Sequence, residues 1–222
     1  QQGQLAHTSQ LRDIVDSFPD GIVHSFGYGS GVFAQQQLSQ NPSEQHNETN
    51  KEESEQPMVD LIFVVKDAKQ WHEDNLQQNP HHYAWLCSTR GSTFCSNLQR
   101  HYGASVFFHA FIPLVGKNRL LKYGVVQKED LLQDLQQWKY LYLAGRLHKP
   151  TVTIRQDDQI MESQQDSNLP SALAASLLLQ EDVHPPPPTT TATTTTNTTI
   201  PVEELYLKIA NLSYAGDIRM QA

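Results

Sequence analysis

Apolar and polar positions change period several times along this chain. Residues 22–26 (IVHSF) have the length and β-branched content of a strand, and a glycine-rich stretch, GYGSGVF, ends it. VFAQQQL, residues 32–38, can begin a helix. Residues 39–57 are almost without apolar positions and predict a mobile surface loop. MVDLIFVV, residues 58–65, is a continuous apolar run broken by one charge, Asp60, as in a buried central strand. DAKQWHEDNLQQNP, residues 67–80, predicts a helix stopped by Asn79-Pro80. Two further strands are expected at 104–114 (ASVFFHAFIPL) and 119–126 (RLLKYGVV), joined as a hairpin through Gly116, Lys117 and Asn118.

The later pattern is helical. KEDLLQDLQQWKYLYLAGR, residues 128–146, places Leu131, Leu135, Trp138 and Tyr142 on one helical face, the expected core side. PTVTI, from Pro150, is a short strand candidate, and LPSALAASLLL, residues 169–179, has the length of a core helix. The Pro/Thr-rich run at 184–200 cannot pack and reads as a disordered insert or linker. Residues 202–222 recover helical character. Strands early and helices late predict an α+β chain with a mixed sheet, not a regularly alternating α/β fold.

Composition narrows the partners. The chain has 222 residues, enough for a real core, and carries 16 basic against 24 acidic side chains for a net charge of -8. That balance argues against a nucleic-acid binder with a broad basic surface, though it leaves room for a local basic pocket. Cys87 and Cys95 are too few for a disulfide framework and wrongly spaced for zinc, so they are expected as reduced, intracellular thiols. No apolar run approaches the roughly 20 residues of a membrane span. Nothing near the first residue looks like a signal or transit peptide, and a processed chain would look the same.

The glycines of GYGSGVF are the first chemical candidate. No lysine follows them as a P-loop requires, and Tyr28 and Val32 stand where a nucleophile elbow around Ser30 needs glycines. Gly29, Gly31 and Ala34 satisfy the dinucleotide pattern G-x-G-x-x-A, with Asp67 as a ribose-binding acid at a stretched spacing; that would make an oxidoreductase. Another arrangement uses more of the chain. A Gly-Ser turn can close over the phosphates of a nucleoside triphosphate, with backbone N–H groups and the Ser30 hydroxyl as donors. Asp60, a charge inside an apolar strand, then holds Mg²⁺, and Lys122, inside LLKYGVV, holds a triphosphate oxygen. Nucleotidyltransferases of the polymerase-β type carry a second acid two positions on, but here that position is Ile62, which leaves Asp67 and Asp217 as candidates. WHEDN and NPHHY lack zinc-ligand spacing and read as a capped helix and its turn. AGRLHKP, with Arg146, His148 and Lys149, is either an anion site or the basic end of a helix.

Five segments taken in order carry a resemblance: FGYGSGVFAQ, MVDLIFVVKDAKQWHEDNLQQNPHHY, LLKYGVV, DLQQWKYLYLAGRLHKP and IANLSYAGDIRM. Together they resemble the mitochondrial phosphatidate cytidylyltransferase family, from about Phe26 to Met220 and interrupted by the two low-complexity inserts. The resemblance implies a nucleotidyltransferase-type domain over 1–150 and a smaller, mostly helical domain over 151–222, for which a winged-helix-like arrangement is one form. It implies Mg²⁺-dependent transfer of a cytidylyl group from CTP to phosphatidic acid, giving CDP-diacylglycerol and pyrophosphate for cardiolipin synthesis. The implied setting is peripheral, on the matrix side of the mitochondrial inner membrane, with any docking element beyond GDIRM truncated. Carried onto this chain, Tyr28, Gly29, Ser30 and Gly31 match the nucleotide-binding loop, Asp60 the strand acid and Lys122 the lysine of KYGV. Asp217, from SYAGD, is the expected second metal carboxylate. A non-catalytic assembly factor on the same fold is the alternative that Ile62 suggests.

Overall fold

The computed structural model describes residues 2–33, 57–114, 118–179 and 201–214. The stretches expected as a polar loop, up to residue 56, and as a Pro/Thr-rich linker lie outside the described residues. The centre of the fold is β2 (Val59–Val65), where Leu61 to Val65 are all buried because both faces of the strand are covered. β1 (Ile22–Tyr28) pairs with it antiparallel, and β4 (Leu120–Gln127) pairs with its other edge in parallel. β3 (Val106–Pro113) adds antiparallel to β4 as expected, with Gly116 and Lys117 of the expected turn outside the described residues, and β5 (Val152–Arg155) adds antiparallel to β1. The sheet order is β3-β4-β2-β1-β5, a mixed sheet in an α+β chain that is compatible with a nucleotidyltransferase-like fold.

Alternation along β2 sorts its side chains. Val59, Leu61, Phe63 and Val65 join Leu121, Tyr123 and Val125 of β4 in one apolar cluster. Leu11, Ile14 and Val15 of α1 (Gln2–Asp16) and Ala68 and Trp71 of α2 (Ala68–Gln78) belong to the same cluster. Each large side chain buried here contributes about 1.5–3 kcal/mol. α2 starts where the Asp67 carboxylate accepts from the Gln70 N–H at 3.0 Å. It stops at Asn79, before the short 3-10 turn Pro80–His82. The pattern did not announce α3 (Trp85–His101), whose Ser-, Thr- and Cys-rich run is interrupted by non-helical backbone at Gly91. Cys87 and Cys95 lie buried on that helix as free thiols, and burial, with Cys87 adding to it, pushes the Cys95 thiol up to about 12.

The chain forms two compact units, Gln1–Asp130 with Pro150–Asp157, and Leu131–Lys149 with Asp158–Ala222. This differs from a boundary near 150. β5 belongs with the sheet because it pairs with β1, and the second unit takes up the chain inside α4 (Lys128–Gln137). The second unit continues with α5 (Leu143–Arg146), α6 (Asp158–Ser163), a π turn at Gln164–Asn168, α7 (Leu169–Leu178) and α8 (Val202–Asn211). The single helix expected over 128–146 is broken after Gln137. Asp134 accepts from the N–H groups of Tyr140 and Leu141 at 2.8 Å and of Leu143 and Ala144 at 3.0 and 2.9 Å, replacing helical partners with a carboxylate. Leu131 and Leu135 are core as expected, but Tyr142 lies beyond the break and is 44% exposed. α7 is not a core helix either, since Leu169, Leu173 and Leu177 are exposed and only Ala172 and Ser176 are buried.

Beneath the β4 side of the sheet lies a buried polar network. The Asn75 amide donates to the hydroxyls of Tyr83 and Tyr123, both at 3.1 Å. His72 Nδ1 meets the Tyr83 hydroxyl and His82 Nδ1 the Tyr123 hydroxyl, each at 2.9 Å, while His109 Nδ1 donates to the His82 carbonyl at 2.9 Å. Burial lowers His24, His72 and His82 from 6.5 to about 4, and His109 to about 3. The folded protein therefore resists protons that the unfolded chain binds below 6.5. Stability should be full above pH 6.5, fall as the pH drops through about 4, and level off below the folded values. Urea midpoints measured across that interval check this; a flat profile would mean that these rings take up protons freely in the fold.

Candidate nucleotide site

The register of the three central strands assembles the site. Tyr28, the last residue of β1, pairs with Asp60, and Asp60 pairs with Lys122 across the parallel ladder. All three therefore project to the same side of the sheet, away from Leu61 and Tyr123. The Lys122 ammonium lies 4.0 Å from Asp60 Oδ1 and 5.0 Å from the centroid of the Phe108 ring. With side chains 38% and 24% exposed, an ion pair this loose adds at most about 1 kcal/mol to stability. Its charges are cheap to rearrange around a ligand.

The glycine turn lies against the carboxylate. Gly29 takes φ +77°, a left-handed conformation that glycine adopts without strain, and its carbonyl accepts from Val32 N–H at 3.1 Å and Phe33 N–H at 3.3 Å. A Cβ on Gly29 would stand 3.2 Å from Asp60 Oδ2, so nothing but the missing side chain separates the turn from the acid. A Cβ on Gly31 would lie 1.8 Å from the Met58 carbonyl oxygen, inside contact distance with the backbone that leads into β2. Ser30, at the tip, is exposed. The result is an exposed hydroxyl, a glycine turn, a half-buried acid and a lysine within one small area. Such a set can bind a polyanion through N–H groups, a hydroxyl and an ammonium while the acid faces a cation.

The other candidates lie elsewhere. Asp67 follows β2 at the end opposite Asp60, and its carboxylate caps α2, so it cannot serve as the second carboxylate beside Asp60. The ribose-acid reading of Asp67 fails with it: β1 and β2 run antiparallel, whereas a dinucleotide fold joins parallel strands through a helix. Asp217 and Ala34 lie outside the described residues. Ile62 shares the face of Asp60 but is 1% exposed. Among the described residues no group of three or more His, Cys, Asp or Glu is placed to hold a metal. A lone strand carboxylate beside a glycine turn would still suit Mg²⁺, which is commonly held by one or two carboxylates and the substrate's own phosphates. In the second unit, Lys149 stacks 3.5 Å from the centroid of Tyr214 and donates to Ser213 Oγ at 3.2 Å, while His148 Nε2 bonds Asn168 Oδ1 at 2.9 Å. Arg119, which the sequence pattern did not single out, donates to the carbonyls of Gly31 and Pro57. Its only signal was an arginine directly before the apolar strand that holds Lys122.

The family described as phosphatidate cytidylyltransferase, mitochondrial, matches residues 11–222. The chain belongs to this family. Relatives bearing that name are 42% identical in Xenopus laevis, 37% in Schizosaccharomyces pombe and 36% in Homo sapiens, each over 95% of this chain. The matches cover 54%, 45% and 40% of those relatives, so the chain spans about half the length of the curated relatives it matches. Among the described residues no helix is long and apolar enough to cross a membrane.

Gly31→Ala should destabilise the protein by about 1–3 kcal/mol, because the new methyl meets backbone rather than a yielding side chain. Urea unfolding of the variant measures the loss, and an unchanged midpoint would show that the turn relaxes away from Met58 at no cost.

Proposed function

We propose that this chain carries the nucleotidyl-transfer site of a phosphatidate cytidylyltransferase, which converts CTP and phosphatidic acid to CDP-diacylglycerol and pyrophosphate. One observation carries the reading: in a chain of this family, the strand register sets Asp60 between the Gly29 turn and the Lys122 ammonium. In the proposed reaction a phosphatidate oxygen attacks the α-phosphorus of CTP, the bond from the α-phosphorus to its bridging oxygen breaks, and pyrophosphate leaves with the electron pair. The nucleophile is already an anion, so a strong general base is not required. The N–H groups of the turn and the Ser30 hydroxyl hold the β- and γ-phosphates, and Lys122 meets the charge that develops on the leaving group. Asp60 would hold Mg²⁺, which when bound neutralises charge on the triphosphate. Asp217 is proposed as the second carboxylate.

The relatives' names support a mitochondrial setting for this chain. Action on a lipid phosphate further implies work at a membrane surface, for which we propose the matrix face of the inner membrane, supplying cardiolipin synthesis. A second reading draws on Ile62, buried where polymerase-β-type enzymes carry an acid: a non-catalytic assembly factor that binds nucleotide without turning it over.

Titrating the chain with CTP, with and without Mg²⁺, tests the site. Metal-dependent affinity is expected, and its absence would sink the cytidylyltransferase reading. In the full-length protein, Asp60→Asn should lower CDP-diacylglycerol formation by at least about a hundredfold while the circular dichroism stays unchanged. Near-native turnover by that variant would remove Asp60 from the chemistry, and nucleotide binding with no turnover by the unaltered protein would favour the assembly factor.

A further inference from the structure

Arg119 is half-buried at the mouth of β4, one residue before the strand begins. Its Nε donates to the Pro57 carbonyl at 2.9 Å, and its Nη2 donates to the Gly31 carbonyl. Those acceptors lie on two separate stretches of backbone: Gly31 closes the glycine turn, and Pro57 leads into β2, three residues before Asp60. The same two stretches touch without Arg119, since a Cβ on Gly31 would stand 3.1 Å from the Pro57 oxygen and closer still to Met58. Both carbonyls face the guanidinium because neither finds a ladder partner. Gly31 lies past the end of β1, and Pro57 lies before the start of β2.

We infer that Arg119 is a positioning residue for the nucleotide site, a two-pronged staple that fixes the Gly29–Gly31 turn onto the chain entering β2 and so holds the turn beside Asp60. This rests on the nucleotidyl-transfer reading for its consequence, though not for its geometry. The ladder alone positions Tyr28, Asp60 and Lys122, but it ends at Tyr28 and does not restrain the turn. Within the turn, the bonds from Val32 and Phe33 to the Gly29 carbonyl fix its shape, and the buried Val32 side chain roots its later end in the apolar cluster; Arg119 ties the Gly31 backbone itself to the chain entering β2. A guanidinium suits the task because its planar fork offers N–H donors in fixed directions to two acceptors at once, which an ammonium on a flexible stem does not. Charged donors to carbonyls also make the stronger class of hydrogen bond.

Two measurements on the same variants test the staple. Amide hydrogen exchange, followed without ligand, should accelerate at Val32 and Phe33 in Arg119→Gln while the amides of Phe63 to Val65 keep native rates. In the presence of Mg²⁺, CTP affinity of Arg119→Gln should fall about tenfold, with Arg119→Lys intermediate because it can keep one of the two bonds. Unchanged affinity in both variants, where the unaltered chain binds CTP, would overturn the inference. So would a loss of affinity with native exchange at Val32 and Phe33, which would make Arg119 a charge rather than a staple. If the unaltered chain binds no CTP, the functional reading falls, and the exchange rates alone still decide whether Arg119 holds the turn.

Discussion

The pairing of β2 with β4 is the constraint on which the rest depends. It is the one parallel ladder among the described strands, and its register sets Asp60 beside Lys122 and Leu61 beside Tyr123. A strand has a side-chain period of two, so a slip of one residue would send Asp60 into the apolar cluster and Leu61 to the face that Asp60 shares with Ile62 and Val64. The penalty for burying an unpaired carboxylate, several kcal/mol, opposes that slip alongside the lost apolar packing. Site and core are therefore two faces of one alignment.

The polar network under β4 reinforces the same alignment from the other side. Tyr123 is the ladder partner of Leu61, and its hydroxyl accepts from Asn75 and meets His82. Its ring stacks on His109 with centroids 4.5 Å apart. A hydroxyl buried this deeply needs partners in one arrangement, so the network specifies where β4 lies as well as stabilising it. Lys122 is the next residue along the backbone, and its height over Asp60 follows from that anchoring.

Much of this was legible in the sequence. The run at 58–65 announced a central strand because both of its faces are covered, and the single charge in it singled out Asp60 as a candidate because an apolar strand seldom carries one. The turn was legible through its glycines, though its orientation over Asp60 was not, since that depends on the register of β1. The strand of PTVTI was seen but given to the wrong unit, because pairing with β1 is a long-range fact that no local pattern encodes. The helix break after Gln137 was hidden for a related reason: apolar spacing continues through it, and the competing Asp134 carboxylate acts on backbone N–H groups, which leave no trace in periodicity. α3 was missed because its composition disfavours a helix, which tertiary packing of Tyr83, Cys87 and Cys95 with Leu76, Phe94 and Phe107 overrides. Arg119 acts through main-chain acceptors, and such acceptors are the same at every position.

The two carbonyls gripped by Arg119 flank residues 34–56, the stretch of sequence between the turn and β2. Ends already tied together by a side chain from the start of β4 set the closure distance of that stretch, whatever it contains. Lengthening a closed connection is thermodynamically mild, about 0.6 kcal/mol for each doubling, and here the added entropy would pull on a fixed anchor rather than on the turn. Where the backbone enters and leaves that stretch is therefore set by a side chain from the start of β4, and not by the stretch itself.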